Sequence, residues 1–197
     1  MLQLMLRLQN LLDRTRALDF IAPLALRLFL APIFILAGSN KLANVDNVAQ
    51  WFAWLGMPAP ELMVYLAVLS ELVGGILLLI GLATRWAAIP LMFTMIVAAA
   101  TAHWDNGWHV LPETELTVPW EWRTDLIEDA VERRDMARDI LREHGNYSWL
   151  TEAGSITVLK NGIEFAATYF IMLLVLFFTG AGRYASLDFW IARRIGR

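Results

Sequence analysis

The chain has 197 residues, no cysteine and a net charge of −3; 58% of its residues are hydrophobic, 18% are charged, and its mean hydropathy is +0.51. A soluble domain carries about 45–50% apolar and about 25% charged residues, so this balance points to an integral membrane protein. Without cysteine, disulfides, thiol catalysis, thiolate zinc sites and cysteine-held iron–sulfur clusters are excluded.

Residues 1–21 read as an amphipathic N-terminal segment. Leu4, Leu8, Leu11 and Leu12 share a helical face opposite Arg7 and Arg14, the pattern of a helix on a membrane surface. The alternation of Leu with Arg7, Asp13, Arg14 and Arg16 does not match a cleavable signal peptide, which needs a continuous apolar core. Four apolar runs follow at about 22–41, 62–82, 86–104 and 161–181, each close to the ~20 residues a bilayer core requires. Pro23 suits a first helical turn, and Pro32 and Pro90 are the kinks that membrane helices tolerate. The tight link from Gly81 to Arg85 makes spans two and three antiparallel neighbours.

Between spans one and two, NVDNVAQWFAWLGMPAPE sets Val48, Phe52 and Leu55 on one face, with Trp51 and Trp54 suited to the water–lipid boundary. A short interfacial helix is expected there, ended by Gly56 and Pro58. Residues 105–160 form a long polar insertion, in which WRTDLIEDAVERRDMARDILREHG predicts an amphipathic helix. Leu126, Ala130, Ala137 and Leu141 are its apolar stripe, and Gly145 its stop. The expected fold is therefore an all-α, four-transmembrane-helix bundle, a single membrane domain over 1–197, with an interfacial helix after span one and an extracytoplasmic helical insertion between spans three and four.

Lys and Arg in short loops set orientation. The N-terminal tail holds Arg7, Arg14 and Arg16, the link between spans two and three holds Arg85, and the C-terminal tail holds Arg183, Arg193, Arg194 and Arg197. Residues 105–159 carry twelve acids against five arginines. Both termini are expected in the cytoplasm, in a bacterial inner membrane, with the acidic insertion outside.

In this topology each span brings polar groups to the outer half of the bundle. Lys41 ends span one; Glu71 lies within span two; His103 ends span three, followed by Asp105 and Asn106; Asn161 and Glu164 open span four. Helical phase puts Arg27 and Lys41 on one face, Glu71, Gly74, Gly75, Leu78 and Arg85 on another, and Asn161, Glu164 and Thr168 on a third. An acid at mid-membrane costs about 2.5–3.5 kcal/mol on insertion scales, so Glu71 must pair, protonate or face a wet cavity. Lys41 is its partner by charge, and the two make either a functional site or only an interhelical lock. Arg27 and Arg85 read as lipid-headgroup anchors. Trp104, Trp108, Trp120 and Trp122 read as belt aromatics.

His103, Asp105 and His109 offer imidazole and carboxylate ligands of the kind copper and zinc take, but their spacing matches no strong motif and no metal is assigned. No Walker loop, dinucleotide fingerprint or nucleophile elbow is found. The acidic insertion argues against nucleic acid.

The stretches LRLFLAPIFILAGSNKL (26–42), LGMPAP (55–60), ELVGGILLLIGLATRWAAIPL (71–91) and FFTGAGRYASLD (177–188) resemble, in order and spacing, the DoxX family of small four-span membrane proteins. AAATAHWDNGWH (98–109), the acidic insertion and HGNYSWLTEAGSITVLKNGIEFAATYF (144–170) resemble the HvfX-type branch, encoded beside maturation proteins for copper-binding ribosomal peptides. The resemblance implies an inner-membrane helical bundle. Some relatives in the family are subunits of quinone-linked sulfur-oxidising complexes, and others accompany redox-defence proteins. Lys41 closes the first matching stretch and Glu71 opens the third; His103, Asp105, Asn161 and Glu164 belong to the narrower branch match.

The leading expectation is an accessory membrane protein for maturation, export or redox support of a copper-binding peptide, with the lipid bilayer and that system's maturation proteins as partners. Its outer pocket takes a small ligand such as a quinone headgroup, copper being the weaker alternative. Lys41 stabilises an oxyanion while Glu71 or His103 exchanges protons, and Asp105, Asn106, Asn161 and Glu164 bind ligand. A transporter lined by Lys41, Glu71 and Glu164, and a non-catalytic scaffold docking through the insertion helix, are the alternatives.

Overall fold

The computed structural model describes residues 1–196, without the side chains at positions 2, 4, 6, 7, 10 and 11. The expected leucine face at Leu4 and Leu11, Arg7 opposite it, and the tail charge Arg197 therefore lie outside the described residues. Secondary structure among the described residues is helical. In chain order the helices are α1 (Leu2–Arg14), α2 (Ile21–Ala43), α3 (Val45–Trp54), α4 (Pro60–Ile80), α5 (Thr84–Asn106), α6 (Asp125–His144), α7 (Tyr147–Leu150), α8 (Glu164–Thr179) and α9 (Leu187–Ile195).

Three of them, α2, α4 and α5, are long and apolar enough to cross a membrane, with mean hydropathies of 2.1, 2.3 and 1.5. The fourth expected span differs from its reading. Helix α8 begins only at Glu164 and has 16 residues. Asn161 precedes it in the left-handed region at φ 63°, so Asn161, Glu164 and Thr168 do not form one helical face. The polar NG pair at 161–162 starts a turn there instead, which an apolar run count across 161–181 overlooks.

The chain forms two compact units. The first is Met1–Thr94 with the C-terminal stretch from Tyr169; the second is Met95–Thr168. In the first, Arg27, Leu30, Ala31, Phe34 and Gly38 make the buried stripe of α2, at the three- and four-residue steps of one helical face. It packs along α4, which buries Val64, Val68, Glu71, Gly74, Gly75 and Leu78. Glycine makes the close approach possible: a Cβ at Gly75 would lie 2.9 Å from Ile35 Cγ1, and one at Gly38 would lie 2.8 Å from the Leu72 amide nitrogen. A satellite core of Ala49, Phe52, Val64 and Val68 holds α3 against the start of α4. Gly56, at φ 76°, turns the chain between these two helices.

In the second unit, α6 buries Ala130 and ends at Gly145. The helix stops at that glycine as expected, with the glycine extended (φ −136°, ψ 168°) rather than left-handed.

Candidate functional site

Helix α4 is not regular throughout: Leu69–Val73 form a π-helical turn, and Glu71 lies at its centre. Such a turn widens the helix by one residue and re-aims its side chains. Gly38 faces this turn, so the backbone of α2 comes directly against it. Lys41, one turn further along α2, reaches across, and its Nζ donates to Glu71 Oε2 at 2.6 Å. The Glu71 side chain is 6% exposed and that of Lys41 is 23% exposed. The carboxylate is thus buried and the ammonium is the more open partner. An ion pair of this kind also answers the cost of a charge within an apolar helix.

Arg27 is a correction. It is not a headgroup anchor, because its residue surface is only 1% exposed. Its guanidinium donates to four backbone carbonyls: Leu78 (2.7 Å) and Leu79 (2.9 Å) at the end of α4, and Ala181 (2.8 Å) and Ala185 (3.0 Å) in the turn before α9. Asp188 completes this joint by accepting the amides of Ala83 and Thr84 at 2.7 and 3.1 Å. Arg85 donates from Nε to the Phe177 carbonyl at 2.8 Å. These residues bind helix ends together and leave the Lys41–Glu71 pair as the candidate site in this unit.

The second unit carries its own polar assembly. His103 Nδ1 lies 2.9 Å from the Asn161 carbonyl, which also accepts from Asn106 Nδ2 at 3.3 Å. A carbonyl only accepts, so His103 Nδ1 carries a proton in this contact. Glu164 Oε2 accepts the Val110 amide at 3.0 Å and lies 3.6 Å from His109 Nδ1. His109 Nε2 lies 3.3 Å from Glu113 Oε2. Asp105 engages Arg123 through its backbone carbonyl. With Asn106, Leu126, Ala130, Arg133 and Lys160 it lines a cleft of ≈ 160 Å³. Thus Asn106 joins Asn161 and His103, whereas Glu164 joins His109. No three His, Asp or Glu side chains among the described residues are arranged to hold a metal ion, so His103, Asp105 and His109 do not assemble into one centre.

Sequence reasoning missed three residues here. Lys160 and Glu121 form a buried ion pair at 2.7 Å, with side chains 2% and 0% exposed, and Glu113 Oε1 lies 3.6 Å from the same ammonium. Glu121 also accepts the amides of Trp108 (3.1 Å) and Arg123 (2.8 Å). Burial alone pushes its carboxyl up. The Lys160 hydrogen bond and the two amides outweigh this and hold it below the usual carboxylate range. The available signal was composition: the chain has two lysines, Lys41 and Lys160, and each pairs with a buried glutamate.

Residues 22–104 match the DoxX family model. Both Lys41 and Glu71 lie inside the matched stretch. Over 81 residues the chain is 35% identical to "Putative oxidoreductase CatD" of Bacillus subtilis (strain 168), covering 41% of this chain and 59% of that protein. It is also 35% identical over 81 residues to "Inner membrane protein YphA" of Escherichia coli (strain K12), covering 40% of this chain and 58% of that one. The matched stretch thus spans less than two thirds of either relative. No solved structure matches.

Proposed function

Starting from the DoxX match at residues 22–104, we propose that this membrane protein supports oxidoreduction by binding a small ligand, a quinone headgroup by chemistry, at the Lys41–Glu71 pair. The carrying observation is the 2.6 Å pair on a π-helical turn within the family-matching segment. A quinone presents a carbonyl oxygen that gains negative charge when an external electron donor reduces it. Lys41 would supply the cation for that oxygen, and Glu71 would give or take the accompanying proton. The oxidoreductase name of the Bacillus subtilis relative supports the same class.

The proposal extends to topology. Helix α8 with its flanking residues is a fourth span, although its 16 helical residues cover only about 24 Å at ~1.5 Å per residue. Both termini face the cytoplasm and the acidic insertion faces outward, as the arginine distribution requires. Because the chain lacks cysteine, single substitutions Glu115→Cys and Arg193→Cys report their sides without background labelling. Labelling of both from the same side would remove this topology.

The HvfX-type resemblance of 98–109 and 144–170 supports extending the proposal to maturation or export of a copper-binding peptide. Recovery of that peptide or of its maturation proteins with the tagged chain tests this step. The competing reading is an interhelical lock, favoured by the burial of Glu71, which is 5% exposed. Titrating a short-chain quinone into the detergent-solubilised protein separates the two. A ligand site predicts binding that weakens about tenfold or more in Lys41→Gln and Glu71→Gln, the scale of one charged hydrogen bond. Variants that fold and bind like wild type would sink it. Variants that cannot be recovered folded would favour the lock.

A further inference from the structure

The loop after α5 lies backbone to backbone against the chain that leads into α8. The amides of Lys160 and Asn161 donate to the Val110 carbonyl, Gly162 to His109, Ile163 to Gly107, and Glu164 to Trp108. The packing leaves no room for a side chain at Gly162, where a Cβ would lie 2.5 Å from the Gly107 carbonyl oxygen. His109 sits in this seam between two carboxylates from different segments.

Proton counting shows what the seam requires. The Thr117 hydroxyl has one proton, and it donates to Glu113 Oε2 at 2.7 Å. Its oxygen is then the acceptor for His109 Nε2, 3.0 Å away, which puts a proton on Nε2. His109 Nδ1 faces Glu164 Oε2 at 3.6 Å. With a single ring proton, a lone pair opposes a carboxylate there. With a second proton on Nδ1, the same contact becomes an ion pair. Glu113 and Glu164 face the ring directly; behind Glu113 stand Lys160 and Glu121. The Lys160 ammonium meets Glu113 and Glu121 but not Glu164, and Glu113 Oε1 is buried with no hydrogen-bond partner.

We propose that His109 is a proton-binding clasp: its second proton, held between Glu113 and Glu164, fastens the 107–117 loop to the head of α8. Loss of that proton leaves two like-charged walls around a neutral ring and loosens the seam. The clasp senses the proton concentration of the compartment that the insertion faces. It is separate from the Lys41–Glu71 proposal and does not require a quinone.

The test uses the full chain in mild detergent. Hydrogen–deuterium exchange of the 160–164 amides is followed from pH 5.5 to 8 and corrected for intrinsic exchange. The expected result is protection that falls about tenfold as pH rises, the equivalent of ~1.4 kcal/mol, and a flat profile in His109→Gln. The chain has three histidines, so NMR of the imidazole nitrogens in a His103→Gln, His144→Gln background reports His109 alone. In this background, which leaves His109 intact, its ring should lose a proton over the same pH interval in which protection falls. Titration without any change in exchange overturns the clasp, even if His109→Gln fails to fold. Equal protection at both ends of the pH range in wild type, or an unchanged profile in His109→Gln, also overturns it.

Discussion

Replacing Arg27 by Met removes the guanidinium that ties α2 to the end of α4 and to the turn before α9. Four donated bonds of 2.7–3.0 Å disappear, and the side chain that made them is essentially inaccessible to solvent. Hydrogen bonds to charged groups contribute about 1.5–3 kcal/mol each, but the terms do not sum. The Leu78 carbonyl keeps a second donor, the Gly81 amide at 3.2 Å, and the Met variant no longer has to bury a cation. What remains is the cost of stranding carbonyls within an apolar helix joint, for which breaking a buried charged set gives about 3–5 kcal/mol. At about 2–4 °C per kcal/mol for a chain of this size, the Tm in detergent should fall by on the order of 10 °C. Arg27→Lys is the sharper control. It keeps the charge but carries three donors on one nitrogen, which cannot reach carbonyls on both sides of the fork, so it should recover only part of the loss. A Met variant within about 2 °C of wild type would refute the joint, because even the smallest expected loss, about 3 kcal/mol, lowers the Tm by about 6 °C. A Lys variant equal to wild type would refute the fork geometry.

Gly38→Ala should separate α2 from the π-helical turn, since its Cβ would lie 2.8 Å from the Leu72 amide nitrogen; a loss of about 1–3 kcal/mol in chemical unfolding is expected. Gly162→Ala should raise exchange of the 160–164 amides at every pH, because its Cβ would meet the Gly107 carbonyl oxygen at 2.5 Å. Glu121 gives a pH effect of definite sign. Its folded carboxyl lies below the ordinary 4.5, so its contribution is present above that value and is lost as pH falls through the lower folded one. Acid exchange of the Trp108 and Arg123 amides should therefore rise below about pH 4.5 in wild type, and Glu121→Gln should lack this step.

The apolar runs made α2, α4 and α5 legible, because a membrane-length helix is written in consecutive residues. The Glu71 face was legible in part: Glu71, Gly74, Gly75 and Leu78 are buried, whereas Arg85, expected on the same face, is exposed and lies beyond the left-handed turn at Gly81, in α5. The π-helical turn beneath Glu71 was not, because no residue type in LSELV demands it. Arg27 was misread for a general reason. A cation near the end of a span looks locally like a headgroup anchor, while the carbonyls it binds lie up to 158 residues away. Lys160, Glu121 and Glu113 escaped notice because charges in a polar insertion read as a solvated face. Their burial depends on the loop at 107–110 folding onto 160–164, a pairing across fifty residues of intervening chain that local periodicity does not encode.

We propose that Lys41 and Glu71 hold a ligand. Native mass spectrometry of the wild-type protein, extracted from its own membranes in mild detergent, tests this most directly beside Glu71→Gln. The claim predicts a small adduct of quinone mass on wild type that is absent from a folded Glu71→Gln. A wild type without adduct, or an adduct that persists unchanged in the variant, would contradict it.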